Sequence, residues 1–479
     1  MGGAGPTGSG DTSDETSTGT GGTTTAPDPD PPEPEPTLIT SSNGNFWQVG
    51  EVTEGGGNAT VTVNEGQTFQ NWEGFGGTFN EAGWHALQDV SEADRERAIK
   101  LLFDKRDGAA FTWGRIPIGS SDYGMDRYSL APQADDFEMA SFSIDRDKEL
   151  LIPYIKAALA VNPDLRMWAS PWSPPPWMKT NNAFDRGSMR TEESYLKAHA
   201  LYLARFVEEY AKEGIVVEHV QPQNEPGYPQ DYPSCEWGAA QMANYIADHL
   251  GPLFAERLPD TEIWLGTMSN SNADKAPAIV SAVMGNNTAR GYVKGIGLQW
   301  GMEAQASNYA SQYGIHIMQT EHQCGNNPWD TGDQPVNANA PNDYAYGKRT
   351  WDLLKSWITK NVNTYLAWNM VLDTSGRNLD DARIWHQNAL LVVDRGQGRL
   401  IETPAYYVFR HFAQYVEPGA VRVGTQGGDA VAFKNPDGSI VTVLYNSGGP
   451  TQATVAVGGK NLQFDMPGDG WATVNWQPE

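Results

Sequence analysis

The sequence predicts an α/β protein, a (β/α)₈ barrel with an appended antiparallel β side domain, and three observations predict it. Apolar runs that read as buried parallel strands recur through the middle of the chain, with helical stretches between them. After about Thr403 the pattern changes to short strands separated by Gly, Asn-Pro-Asp-Gly and Ser-Gly-Gly turns. The length of 479 residues exceeds the usual single domain and suits one barrel plus a small appendage.

Residues 1–38 are Gly, Thr, Ser, Pro, Asp and Glu with almost no aliphatic side chains. Such a segment cannot bury enough apolar surface to offset its ordering entropy, so a disordered linker is expected, extended where it is Pro-rich. Residues 39–70 read as strands, 71–404 as the barrel and 405–479 as the C-terminal β segment. The first barrel strand reads at Glu73–Gly76, short and Gly-rich. The others read at Phe111–Ile118, Leu165–Ser170, Val216–Gln221, Glu262–Gly266, Val293–Gln299, Ile315–Gln319 and Thr364–Trp368. Among the helices, Ser91–Phe103 opens with a Ser91/Asp94 capping pattern and Thr191–Glu213 closes at Gly214. Strand–helix alternation of this kind specifies a parallel sheet with helices outside. Beyond Thr403 one helix remains, followed by strands at 421–423, 431–433, 440–445, 453–457 and 472–474.

Two glutamates stand where a barrel does its chemistry. Glu225, in Gln223-Asn224-Glu225-Pro226, and Glu321, in Gln319-Thr320-Glu321-His322, each follow a strand's C-terminal end. They lie 96 positions apart, the distance of about three βα units. The Pro after Glu225 is expected to end the ladder and hold Glu225 extended. Asn224 should then point to the opposite face or the rim. Glycoside hydrolysis needs one carboxylic acid and one carboxylate, and the chain offers a candidate for each.

With those residues go Trp72-Glu73-Gly74-Phe75-Gly76-Gly77, Gly114-Arg115-Ile116-Pro117-Ile118-Gly119 with Asp122, Ser170-Pro171-Trp172-Ser173-Pro174-Pro175-Pro176-Trp177, and Trp368-Asn369. In order and spacing the chain resembles glycoside hydrolase family 30, the family of glucosylceramidases and endo-β-1,6-glucanases, from about Asn45 to the C-terminus. The resemblance implies Glu225 as acid/base and Glu321 as nucleophile. It also implies Asp122, Trp172, Asn224, Trp300 and Trp368 as sugar-contacting positions, and a β-sandwich side domain built from the N- and C-terminal segments together.

A sugar presents polar hydroxyls and an apolar C–H face, so its site needs hydrogen-bonding groups and aromatic platforms. Of the 17 tryptophans, Trp172, Trp300 and Trp368 follow apolar runs at the catalytic end, whereas Trp113, Trp264 and Trp351 read as core. Arg115 lies inside a strand, where an unpaired charge is costly, so it is expected to pair with a catalytic carboxylate. Where most of the resembling glucosylceramidase group carries His-Trp-Tyr, this chain has Gln299-Trp300-Gly301. The site should be wider there, with His322 or Arg115 holding the nucleophile.

Formal charge is −26, and the first 94 residues contain no Lys or Arg. That balance repels nucleic acid and anionic membranes and disfavours uronic-acid-rich polysaccharides. With no apolar run of 18 residues, no membrane insertion is expected. The acidic tether fits a secreted or surface-tethered protein whose export segment has been removed. Cys235 and Cys324 both decorate the barrel mouth, and a bridge or two buried thiols stand as open alternatives. The eight histidines show no metal spacing, and neither metal nor cofactor is expected.

The expected protein is a monomer acting on a polysaccharide or oligosaccharide by double displacement, its two carboxyls about 5–5.5 Å apart. β-1,6-Glucan is the expected substrate. Glucosylceramide, β-1,6-galactan and xylan are alternatives, as is a non-enzymatic carbohydrate-binding surface protein.

Overall fold

The structure, a computed structural model, describes residues 1, 36–269, 275–324, 342–375, 379 and 387–478. The expected linker, 1–38, lies almost wholly outside the described residues.

Eight parallel strands close into a barrel: β1 (Gly74–Thr78), β2 (Trp113–Ile118), β3 (Arg166–Pro171), β4 (Val217–Val220), β5 (Glu262–Met268), β6 (Val293–Gln299), β7 (His316–Glu321) and β8 (Thr364–Asn369). Each pairs with its neighbours in parallel, and β8 closes on β1. The strands are buried on both faces because helices cover them outside, which is why they read as continuous apolar runs. In β1 a Cβ on Gly76 would stand 1.9 Å from the Trp113 carbonyl oxygen, so only glycine lets β1 approach β2. The helix Glu92–Phe103 is capped by the Ser91 hydroxyl, 3.1 Å from the Asp94 amide, as its sequence predicts. The helix Glu193–Lys212 is followed by Gly214 at φ +81°, a left-handed exit.

One end of the barrel is plugged by Trp113, Trp168, Trp264, Met318 and Leu366. His219 stacks between Trp168 (5.4 Å between ring centroids) and Trp264 (4.4 Å). Burial holds its imidazole neutral, well below the usual range. Trp113, Trp264 and Trp351 are core residues, as expected from sequence.

The side domain joins both ends of the chain in one hydrogen-bonded sheet. Its ten strands run in the order 45–50, 37–42, 470–476, 440–446, 429–434, 421–426, 61–71, 451–457, 460–466 and 53–54. The pairings are antiparallel with one exception: Val455 and Ala456 pair in parallel with Val61 and Thr62. The domain is antiparallel as expected apart from this one pairing. Val61–Asn71 enters from the N-terminal segment, so no hairpin dictates its direction.

Strand periodicity gives this sheet two faces with two jobs. Val431, Phe433, Val441 and Val443 share the barrel's core with Trp351, Tyr406, Phe409 and Phe412. Their neighbours Ala430, Ala432, Ile440 and Leu444 build a separate core with Leu38, Val61, Val455 and Phe464. The helices Tyr344–Thr359 and Pro404–Ala413 lie at this junction, where Trp351 and Phe412 stack at 5.5 Å. A small sheet of 371–373, 391–394 and 399–402, which no sequence pattern announced, follows β8. Among the described residues no helix is long and apolar enough to cross a membrane.

Candidate active site

A cavity of about 290 Å³ opens at the C-terminal end of the barrel strands, lined among others by Asp122, Glu225, Trp300, Glu321 and Trp368. Five of the residues singled out from sequence therefore converge here. Glu321 is the last residue of β7, and its side chain points into the mouth. Its Oε2 accepts from Arg115 Nη1 at 2.8 Å, and its Oε1 accepts from the Trp300 indole N–H at 2.5 Å.

Arg115 lies beneath, fully buried, with its whole fork engaged. Nη2 donates to Asn224 Oδ1 at 2.6 Å and to Ser170 Oγ at 3.1 Å, while Nε donates to the same Ser170 Oγ at 3.3 Å. The guanidinium carbon sits 4.3 Å from the Trp172 ring centre and 5.5 Å from that of Trp368. A buried guanidinium so surrounded stays where it is because each of its three nitrogens has a partner. The expectation that Arg115 pairs with one of the two glutamates is met. It does so from below the cavity rather than by lining it.

Three further residues singled out from sequence lie away from the cavity lining. Trp172 does not line the cavity; it is 1% exposed and stacks on Trp368 at 5.2 Å, supporting the arginine. Asn224 also sits one layer down, its amide oxygen taken by Arg115 and by Thr267 Oγ1 at 2.7 Å. His322 faces away altogether. Strand alternation puts it opposite Glu321, so its ring packs against Tyr346, Tyr365 and Phe409, with Nδ1 2.5 Å from the Tyr365 hydroxyl. Burial drives its pKa down to about 3, and it holds no carboxylate.

Glu225 is not extended either. Its φ is +45°, in the left-handed region that costs a non-glycine residue about 1–2 kcal/mol. Its N–H donates to the Thr267 carbonyl at 3.1 Å, and its own carbonyl accepts from the Tyr228 amide at 2.9 Å. Those bonds hold a turn that places the carboxyl in the cavity, where Tyr232 Oη donates to Oε2 at 3.3 Å. Trp300, at φ +31°, is held in the same unusual region.

The two carboxyls are chemically unequal. Burial foremost, and then the charge of Glu321, lift Glu225 above the usual carboxylate range to about 7, against hydrogen bonds from Ser269, Gln299 and Tyr232. Burial also lifts Glu321, but Arg115 and the Trp300 indole oppose that rise. The pair therefore keeps its proton on Glu225 and its charge on Glu321, the division that acid and nucleophile require.

Tyr228, Gln230, Tyr232, Gln323 and Gln387, which the reading of the residues missed, also line the cavity. The first three stand in a proline-punctuated loop just after Glu225, and that position was the available signal. Gln387 carries none. Cys235 and Cys324 are free and buried, which decides between the two alternatives. Cys324 Sγ lies 3.3 Å from Gln387 Oε1. Among the described residues no group of His, Cys, Asp or Glu could hold a metal.

With this geometry in place, comparison with known proteins identifies the architecture. Residues 72–416 match the glycosyl hydrolase family 30 TIM-barrel domain, and 419–474 match the glycosyl hydrolase family 30 beta sandwich domain. The chain is 28% identical to a putative glucosylceramidase of Caenorhabditis elegans, over 85% of this chain and 80% of that protein. It is 24% identical to an endo-1,6-β-D-glucanase of Neurospora crassa, over 79% of each. A solved structure of an endo-β-1,6-glucanase superimposes with a TM-score of 0.82 at 22% identity, covering 93% of this chain and 100% of that one.

Proposed function

From the premise that this chain belongs to glycosyl hydrolase family 30, we propose that it is a retaining endo-β-1,6-glucanase with Glu321 as nucleophile and Glu225 as acid/base. The observation that carries the mechanism is the unequal pair in one cavity: a carboxyl protonated near pH 7 and a carboxylate held ionised by a buried arginine and an indole. Glu321 attacks the anomeric carbon while Glu225 protonates the departing oxygen. Esterification then removes the charge of Glu321. The pKa of Glu225 falls with it, and the carboxylate so formed takes a proton from the water that releases the sugar. Trp300 and Trp368 offer platforms for the C–H face of the ring, and Asp122 offers acceptors to its hydroxyls.

Substrate preference rests on the likeness to the fungal and the structurally solved β-1,6-glucanases, together with the aromatic loop beyond Glu225. Tyr228 and Tyr232 extend the apolar lining past the carboxyl pair, which suits a continuing glycan chain rather than a single sugar. The greater identity to glucosylceramidases supports a second reading, a glucosylceramide substrate. Release of reducing sugar from a β-1,6-glucan, compared with release of glucose from glucosylceramide in detergent, decides between them. In the protein's setting, the acidic balance supports an exported enzyme acting outside the cell as a monomer.

A further inference from the structure

Gln299 ends β6 in register with Glu321 on β7, directly before the tryptophan whose indole binds Glu321. Its side chain is completely buried. The amide oxygen is engaged, accepting from Thr320 Oγ1 at 2.9 Å. The amide nitrogen is buried and has no partner in hydrogen-bond geometry among the described residues. An N–H left so costs about 1–3 kcal/mol, and buried polar groups in this position call for an explanation.

The explanation lies in what the nitrogen faces. Gln299 stands opposite Glu321 in the register of β6 and β7, on the same side of the barrel wall, and its amide makes both Glu225 and Glu321 more acidic. The reverse orientation of the amide would aim a carbonyl dipole at a pair that carries a negative charge, so the N–H bonds face the carboxyls. Other groups serve one carboxyl each: Arg115 and Trp300 serve Glu321, and Tyr232 serves Glu225. Gln299 reaches both.

We propose that Gln299 is a positioning residue for the reaction proposed above, and rests on that reading: its two amide N–H bonds are a shared, uncharged clamp on Glu225 and Glu321. The charge moves between these carboxyls during double displacement, from Glu321 in the free enzyme to Glu225 after glycosylation. A donor pair serves either state without taking up or losing a proton. A histidine in the same place would titrate within the working range. The clamp thus leaves the pH profile to the two carboxyls alone.

The test compares Gln299→Met, which keeps length and removes both donors, with Gln299→Glu, which keeps shape and replaces the donors with a third carboxyl. Each is assayed on an aryl β-glucoside across pH 4–8, and each is trapped with a 2-deoxy-2-fluoro glucoside whose site of attachment is read by peptide mass. For both variants kcat/KM should fall at least tenfold, and the acid limb should move up by half a pH unit or more, further for Glu than for Met. Glu321 should still carry the label. If both variants keep the native pH limits and only KM rises, the amide serves the substrate and the clamp is refuted. Should the unaltered protein carry no label on Glu321, the glycosidase assignment fails instead. The two failures are therefore separable.

Discussion

Arg115 Nη1 lies 2.8 Å from Glu321 Oε2, and the arginine is wholly shut off from solvent. An ion pair in that setting has a direction of influence. The guanidinium cannot leave, so it biases Glu321 towards its ionised form throughout the cycle. Arg115→Met should move the acid limb of kcat/KM to higher pH, because the largest influence holding Glu321 acidic has gone. Removing one partner of a buried pair should also cost about 3–5 kcal/mol of stability. Arg115→Lys keeps the charge yet loses the fork to Ser170 and Asn224, so it should fold better than the methionine variant but lose about 10²-fold in kcat. An acid limb unchanged in Arg115→Met would show that Arg115 does not set the state of Glu321.

The two glutamates should separate by rescue. Glu225→Gln should nearly abolish cleavage of natural linkages, a loss of about 10²–10⁴-fold for a missing general acid, while sparing the first step on an activated aryl glycoside. Azide should then restore turnover with a β-configured product, since a small anion needs no general base. Glu321→Gln should be inactive on both substrates. The first product anomer, followed by NMR, must be β; early α product would reverse the assignment of Glu321.

How far these positions were legible depends on what fixed them. Barrel strands read as apolar runs because helices bury both faces, and β6 was located to the residue. Glu225 and Glu321 were legible because a carboxylate past a buried strand has little structural reason to be there. Which layer a residue occupies was not legible. Trp172 and Trp368 follow similar apolar runs and both pack on Arg115, yet only Trp368 also lines the cavity, a difference set by packing across the barrel. His322 was misplaced for a simpler reason: alternation along β7 already put it opposite Glu321. The left-handed turn at Glu225 overrode the local preference before proline because Thr267 and Tyr228 hold its backbone from either side.

Activity should fall as pH rises through about 7, where Glu225 loses the proton that protects the leaving group. The limb belongs to the acid step alone, so substrates with good leaving groups should show it weakly. A kcat/KM profile measured on an unactivated disaccharide and on an aryl glycoside checks this. Equal alkaline limbs on both would assign that ionisation elsewhere.

Stability should fall over a related window for another reason. Glu81 is buried against Arg146, with its pKa raised to about 7 by burial, and nearby Asp147 is raised to about 6 while accepting from Tyr128 and Tyr210 hydroxyls. Carboxyls with raised folded pKa values bind protons more tightly folded than unfolded. Their contribution is complete below about pH 4 and is lost as pH climbs through 6 to 7. Thermal unfolding should show melting temperature declining from pH 5 to 8, and Glu81→Gln should flatten that decline.

Position 301 bears on substrate choice. Gly301 has φ +77° and follows Trp300 at φ +31°, so the turn itself uses the freedom of glycine. A tyrosine there would be strained by about 1–2 kcal/mol, and its ring would not take the path of a tyrosine on an extended backbone. The local shape of the cavity therefore follows from a backbone turn that admits the indole N–H to Glu321, rather than from one missing ring. The lining beyond the carboxyls passes to Tyr228 and Tyr232. On this account, pustulan should be cut in preference to laminarin, β-1,6-galactan and glucuronoxylan. Tyr228→Ala should then raise KM for pustulan about tenfold, the scale of one sugar-stacking ring of about 1–1.5 kcal/mol, while an aryl β-glucoside that ends before that loop is barely affected. Should galactan or xylan be degraded while pustulan stays intact, the glucanase assignment fails and the carboxyl chemistry stands. If Tyr228→Ala weakens both substrates alike, the loop shapes the acid rather than the chain that leaves it.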